Sequence, residues 1–384
     1  MHTSKRLEGI GEYYFSQKLR EIEVLNREGK NVINLGIGNP DLAPHPDVIS
    51  CLAAEATKPA VHGYQGYKGI AAFREAIAGW YSKWYGVTLQ PDTEILPLIG
   101  SKEGIMHVCM TYLTEGDQAL IPNPGYPTYS SAVQLAGGSC VPYELTEGRG
   151  WTPDFEALEK MDLTKVRLMW VNYPHMPTGQ LPTMKLFQEL VAFGRKHNIL
   201  ICHDNPYSFI LNDTPLSILA ADGAKETAIE LNSLSKSHNM AGWRVGMLCG
   251  GKEKITDVLR FKSNMDSGMF LPVQSAAVVA LSLGKDWHQS MNVIYAGRRK
   301  KVFALLDLLR CTYSTEQAGL FVWAKVTNGG TGYDLSDKVL EGANVFITPG
   351  GIFGSAGEGY VRISLCSSEE RLDQSIERIR KMKA

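Results

Sequence analysis

Phe15, Leu19, Ile22 and Leu25 recur three or four positions apart, a spacing that predicts an N-terminal helix packed on one face. After Glu28-Gly29-Lys30, residues 32–35 read as a short strand. From residue 90 the pattern alternates. Nearly continuous apolar runs at 95–99, 119–121, 166–171, 199–203, 228–231 and 245–249 predict strands, and residues 101–113 and 183–197 between them predict helices. Such alternation indicates a mostly parallel sheet covered on both faces. Beyond residue 280 a long helical pattern at 286–309 precedes strands at 320–326, 345–348 and 360–365. A last helix follows on Leu372, Ile376, Ile379 and Met382. A chain of 384 residues exceeds one ordinary core. The expected organisation is an α/β protein with an N-terminal segment, 1–38, that packs with a small C-terminal domain, 281–384, around a large domain, 39–280.

Composition narrows the function classes. Hydrophobic residues make up 44% and charged residues 21%, with a formal net charge of -1, so no basic field draws in nucleic acid or an anionic membrane. No run is long and apolar enough to span a bilayer, and residues 1–15 lack the apolar core of a signal peptide. The seven cysteines are scattered without CxxC spacing, and Cys109 and Cys202 lie in apolar runs. Free thiols in a reducing cytoplasm fit this usage. There is no Walker motif, no HExxH, no Cys/His cluster and no GxSxG, and Gly63, Gly66 and Gly69 lack the strand–turn–helix of a dinucleotide fingerprint. No metal site is expected.

The informative polar residues follow the predicted strands. Gly100-Ser101-Lys102, Pro124-Gly125-Tyr126, Asn172, Asp204 with Tyr207, and Ser233 with Lys236 all come just after strand ends. In a parallel sheet these ends share one edge, where open α/β sheets bind ligands. Ser101 is placed to cap the following helix, whose N–H groups suit a phosphate. Alone, it reads first as an ordinary cap with no ligand. In the segment 233–244, Ser233, Ser235 and Ser237 flank Lys236, and Arg244 follows eight residues on. Arg244 can hold a phosphate bidentately with Ser233 and Ser235 donating, and a lysine near that cation has a depressed pKa and a nucleophilic amine. Asp204 can pair with a protonated pyridine nitrogen. Arg362, alternating with Val361 and Ile363, can fork onto a carboxylate.

At 233–246 the sequence resembles the Schiff-base segment of the class I/II aminotransferases, which have the aspartate-aminotransferase-like fold type I, and matching motifs run in order along nearly the whole chain. The resemblance implies pyridoxal 5'-phosphate bound as a Schiff base to Lys236. It implies Ser101, Lys102, Ser233, Ser235 and Arg244 around the phosphate, and Tyr126 stacked on the ring. Asp204 falls to the ring nitrogen and Tyr207 to the ring hydroxyl. Gly38 and Arg362 fall to the substrate carboxylate, and Tyr64 to the phosphate of a neighbouring subunit, hence a homodimer. The family's usual N-P-T-G is Met176-Pro177-Thr178-Gly179 here. The asparagine that bonds the ring hydroxyl is missing, and Asn172 or Tyr207 is left to carry that bond. Within the family the chain is most similar to the L,L-diaminopimelate aminotransferase branch. The similarity lies in Tyr13-Tyr14-Phe15, residues 96–104 and residues 262–268, which implies Tyr13 and Asn264 in the substrate pocket. Diaminopimelate enzymes place an acid near the position of Tyr67, whereas this chain has none between Tyr64 and Gly69. Aspartate, alanine and diaminopimelate all remain open as donors.

The expected reaction is ping-pong transamination between an L-amino acid and a 2-oxo acid, with Lys236 as general base and acid. Two other readings stand beside it: β-elimination from a sulfur amino acid on the same cofactor, and a non-enzymatic ligand-sensing module of the same fold.

Overall fold

The computed structural model describes residues 2–8, 10–12, 14–327 and 329–382. The strands in the first two-thirds of the chain are β1 (Ile33–Asn34), β2 (Ile95–Leu98), β3 (Gln118–Asn123), β4 (Ser139–Glu144), β5 (Val166–Asn172), β6 (Leu200–Asp204), β7 (Ala228–Ser233) and β8 (Gly246–Gly250). All but β1 form one sheet in the order β2-β8-β7-β6-β5-β3-β4. The β3, β4, β5, β6 and β7 pairings are parallel, and β8 runs antiparallel to both β7 and β2. Two reversals restore direction, so β2 ends on the same edge as β7, and β8 begins there.

The inner strands are apolar because both faces are covered. Trp170 and Cys202 point into one core with Ile105, Val108 and Tyr129. Met169, Val171 and Ile201 point into another with Phe73, Ile77, Phe187 and Leu190. Strand β4 escapes the sequence pattern. It is an edge strand containing Pro142, a residue tolerated only where a ladder bond is dispensable, and only Tyr143 in it is buried. Helices start where local chemistry dictates. The Thr183 side chain accepts from the Leu186 N–H to open Met184–His197, and Asn198 closes that helix in the left-handed region.

A second sheet is antiparallel throughout. It contains β9 (Cys311–Tyr313), β10 (Phe321–Val326), β12 (Thr348–Pro349) and β13 (Tyr360–Ser364) in the order β12-β13-β10-β9. Strand β11 (Val345–Phe346) instead pairs in parallel with β1. Ile22 of the helix Tyr14–Arg27 packs with Val32, Leu340 and Phe346, so the N-terminal segment lies against this second layer. No described helix is long and apolar enough to cross a membrane.

Candidate active site

Between the C-terminal edge of the large sheet and the second layer lies a cleft of about 460 Å³, within the range of small-molecule sites. Ser101, Lys102, Tyr126, Asn172, Asp204, Tyr207, Ser233, Ser235, Lys236 and Arg244 line it from the sheet edge. Gly38, Arg362 and Phe321 line it from the opposite wall. The sequence expectation of convergence on one edge therefore holds for these residues, with a twist in the case of Arg244. It precedes the antiparallel strand β8, so a strand start, not a strand end, delivers it.

Lys236 lies within the one-turn helix Leu234–Ser237, which Ser233 caps: its hydroxyl accepts from the Ser235 N–H. Its Nζ reaches across the cleft and donates to the Gly38 carbonyl at 2.5 Å. Burial depresses its pKa first of all, and the positive charges of Arg362 and Arg244 act in the same direction. Arg244, the cause expected from the sequence, is thus the lesser one. The result is an amine closer to its neutral, nucleophilic form.

Asp204 ends β6 on the side of Trp170 and Tyr129. The Tyr129 hydroxyl donates to its Oδ2 at 2.9 Å, while Oδ1 is buried and has no partner. Burial pushes the carboxyl up to about 6, and the Tyr129 hydrogen bond pulls it down. A buried carboxylate oxygen without a donor is costly unless a cationic N–H meets it. A protonated pyridine nitrogen supplies one.

The anion end is built from the N-terminus of the helix Ser101–Tyr112 and from Arg244. The sequence reading made Ser101 the cap, but Gly100 occupies that position at φ +84, and no side chain caps the helix. A Cβ on Gly100 would lie 2.2 Å from Arg244 Nη2, so glycine serves both the turn and the close approach of the guanidinium. The uncapped N–H groups, the exposed guanidinium and the Ser233 and Ser235 hydroxyls, 2.8 Å apart, form a cradle that fits a phosphate.

At the other end Arg362 is 4% exposed. Its guanidinium carbon lies 3.8 Å from the Phe321 ring centroid, 4.6 Å from that of Phe353 and 5.5 Å from that of Phe15. Nη2 donates to the Gly36 carbonyl at 2.7 Å, and Nη1 lies 3.3 Å from the Met176 sulfur. A Cβ on Gly38 would stand 2.2 Å from Phe321 Cζ, so only glycine lets that loop lie against the aromatic wall. Asn172 is already engaged: its amide donates to the Asp204 carbonyl at 2.6 Å, and its oxygen accepts from the Met176 N–H at 2.7 Å. Of the two residues left to bond a ring hydroxyl, Tyr207 has the less committed polar group.

Tyr64 and Asn264 lie away from the cleft. Tyr64 is 95% exposed, and the Asn264 amide donates to the Arg260 carbonyl. Tyr13 falls outside the described residues. Tyr129, Phe321 and Phe353 were not singled out by sequence reasoning. Tyr129 carried a faint signal, one helical turn beyond Tyr126. The two phenylalanines carried none, since a core and a cage read alike.

A half-enclosed lysine, a buried carboxylate with a vacant acceptor and an uncapped helix start, at the edge of a doubly covered α/β sheet, define a pyridoxal-phosphate enzyme of the aminotransferase kind. The chain belongs to the family described as aminotransferase class I and II, whose profile matches residues 30–379. It is 40% identical to the LL-diaminopimelate aminotransferase of Dehalococcoides mccartyi (strain 195) over the whole of both chains. It is 41% identical to the LL-diaminopimelate aminotransferase of Moorella thermoacetica, over 100% of this chain and 98% of that one. Substrate-bound BacF from Bacillus subtilis superposes with a TM-score of 0.93 at 37% identity, covering 99% and 98% of the two chains. The protein is therefore an aminotransferase that uses pyridoxal 5'-phosphate and acts on amino acids and 2-oxo acids.

Proposed function

We propose that this cleft carries out transamination with Lys236 as the cofactor lysine. Diaminopimelate, from the names of its relatives, is the first donor to try, and aspartate and alanine come next. The observation that carries the residue assignment is the placement of Lys236 Nζ between the Asp204 side and the Gly38–Arg362 wall. When bound, the cofactor supplies an electron sink for the carbanion left by loss of the α-proton. Asp204 holds the ring nitrogen protonated, and Tyr126 covers the ring. Ser101, Lys102, Ser233, Ser235 and Arg244 retain the phosphate, and Tyr207 meets the ring hydroxyl. Arg362 and Gly38 fix the α-carboxylate, so that the substrate's α-C–H faces the Lys236 amine. That amine, its pKa depressed by burial, would take the proton from the substrate's α-carbon and hold it for return to the reacting centre. Substituting Lys236→Ala should abolish both the visible absorbance of protein-bound cofactor above that of free pyridoxal phosphate and the release of keto acid from a donor panel. Retention of either would refute the assignment.

The same reading divides the chain into a large cofactor-binding part, 39–280, and a small part formed by 281–384 with 1–38. It also implies a homodimer. Tyr64, Tyr67, Met265 and Phe270 are exposed on two segments that lie side by side, with Gly268 packed against the Gly66 and Gln65 carbonyls. A cluster of exposed aromatic and apolar side chains favours burial against a second copy. That contact would carry Tyr64 to the neighbouring phosphate and Asn264 toward the neighbouring substrate. Sedimentation at twice the chain mass, lost on Tyr64→Asp with Phe270→Asp, is the expected result; a monomeric wild type would refute it. Seven scattered cysteines, five of them buried, fit a cytoplasmic home.

A further inference from the structure

Strand β7 carries an acid, Glu230, in an otherwise apolar run, and it is 0% exposed. Its register partner on β6 is His203, also 0% exposed and adjacent to Asp204 in the chain. Four groups converge on the Glu230 carboxyl. Tyr81 OH meets Oε1 at 2.8 Å. His203 Nδ1 at 2.9 Å, Ser217 Oγ at 2.8 Å and the Ile218 N–H at 3.1 Å meet Oε2. The other ring nitrogen of His203, Nε2, lies 2.9 Å from the Tyr173 carbonyl. A carbonyl only accepts, so Nε2 carries a proton. One more proton is shared between Nδ1 and Oε2. A carboxyl already met by three groups that donate to it, Tyr81 OH, Ser217 Oγ and the Ile218 N–H, is best satisfied as the carboxylate, which leaves that proton on the imidazole.

We propose that the buried His203–Glu230 pair is a positioning element for the cofactor carboxylate: its cationic ring, one residue from Asp204, drives the proton between Asp204 and the pyridine nitrogen onto the nitrogen. The proposal rests on the reading of Asp204 as the partner of the ring nitrogen. Burial alone favours the neutral carboxylic acid at position 204 and so an unprotonated, poorer electron sink. The Tyr129 hydrogen bond opposes that first, and the charge of His203 opposes it next. The positive charge of His203 lowers the Asp204 pKa, and Glu230 acts in the opposite direction with the smaller weight. The remaining titratable groups facing the network are Tyr81, Tyr85 and Cys249 around Glu230, and Tyr126, Tyr129 and Tyr207 around Asp204. Burial raises the pKa of each, which holds them neutral. The Tyr173 carbonyl and the Glu230 carboxylate fix the imidazole from both sides, so it cannot turn away. A pair that merely tied the helix Ala71–Tyr85 and the turn at Ser217 to the sheet would work with any polar residue of the right shape.

The test uses the full chain loaded with pyridoxal phosphate labelled with ¹⁵N in the ring, whose chemical shift reports the proton on that nitrogen directly. In wild type the nitrogen should stay protonated across the neutral range. In His203→Gln and in Glu230→Gln, where the imidazole loses its counter-ion, the ¹⁵N shift at a fixed neutral pH should move toward that of an unprotonated nitrogen, because the ratio of nitrogen-bound to Asp204-bound proton falls by about tenfold or more. An unshifted resonance in either folded variant, whatever its melting temperature, overturns the proposal and leaves the pair a structural tie. If His203→Gln does not fold, Glu230→Gln, which preserves shape, decides alone. A wild type that takes up no label would instead sink the cofactor reading itself, and the two failures are distinguishable.

Discussion

Arg244 and Arg362 stand at opposite ends of one cleft and are built in opposite ways. Arg362 is buried in a strand of the second sheet, with three phenylalanine rings around its guanidinium and a backbone carbonyl on Nη2. Arg244 is exposed, held in the left-handed region at φ +57, with Nη1 on the Ala241 carbonyl. A caged guanidinium is pre-ordered and shielded from water, so a ligand carboxylate gains from it in full and only in one orientation. An exposed guanidinium beside helix N–H groups shares its anion with several donors, so no single donor dominates. The comparison teaches that the cleft has one rigid end suited to setting substrate geometry and one composite end suited to retention.

Two substitutions test that division. The larger effect is expected at the caged end. Arg362→Leu should cost the amino donor about 3 kcal/mol or more in kcat/KM, roughly a hundredfold, while the cofactor stays bound. Half-reaction rates with the preformed holoenzyme measure this. Cofactor loss in that variant would break the comparison. The smaller effect is at the composite end. Arg244→Gln should weaken cofactor binding by about 1.5–3 kcal/mol, with turnover largely restored by excess pyridoxal phosphate. Dialysis followed by absorbance titration reads the dissociation constant. A raised KM for the donor with unchanged cofactor affinity would reverse the roles of the two arginines.

The rarity of the motif explains how much of this cleft was legible. Three hydroxyls around a lysine, with an arginine eight residues on, are hard to account for as core or surface, so Lys236, Ser233, Ser235 and Arg244 stood out. Asp204 stood out because a charged residue closes an apolar run. The phenylalanines around Arg362 did not, because a ring that lines a site and a ring that fills a core obey the same spacing. Glu230 had a signal that went unread: an acid inside a strand buried on both faces must have partners. The cap at Ser101 was misplaced by one residue, because Ser and Gly both suit the position and only the backbone angle at Gly100 separates them. Strand β4 was missed because an edge strand needs little apolar surface and tolerates Pro142.

Apolar periodicity by itself determined that an α/β sheet would form and which residues would end its strands, since burying a two-faced strand constrains every position along it. The order β2-β8-β7-β6-β5-β3-β4, the reversal of β8 and the cage around Arg362 were decided only in three dimensions. These depend on which buried surfaces meet across distant segments, and the identity of a side chain does not encode its partner. His203 and Glu230 are 27 positions apart in the chain, and only strand register makes them a pair.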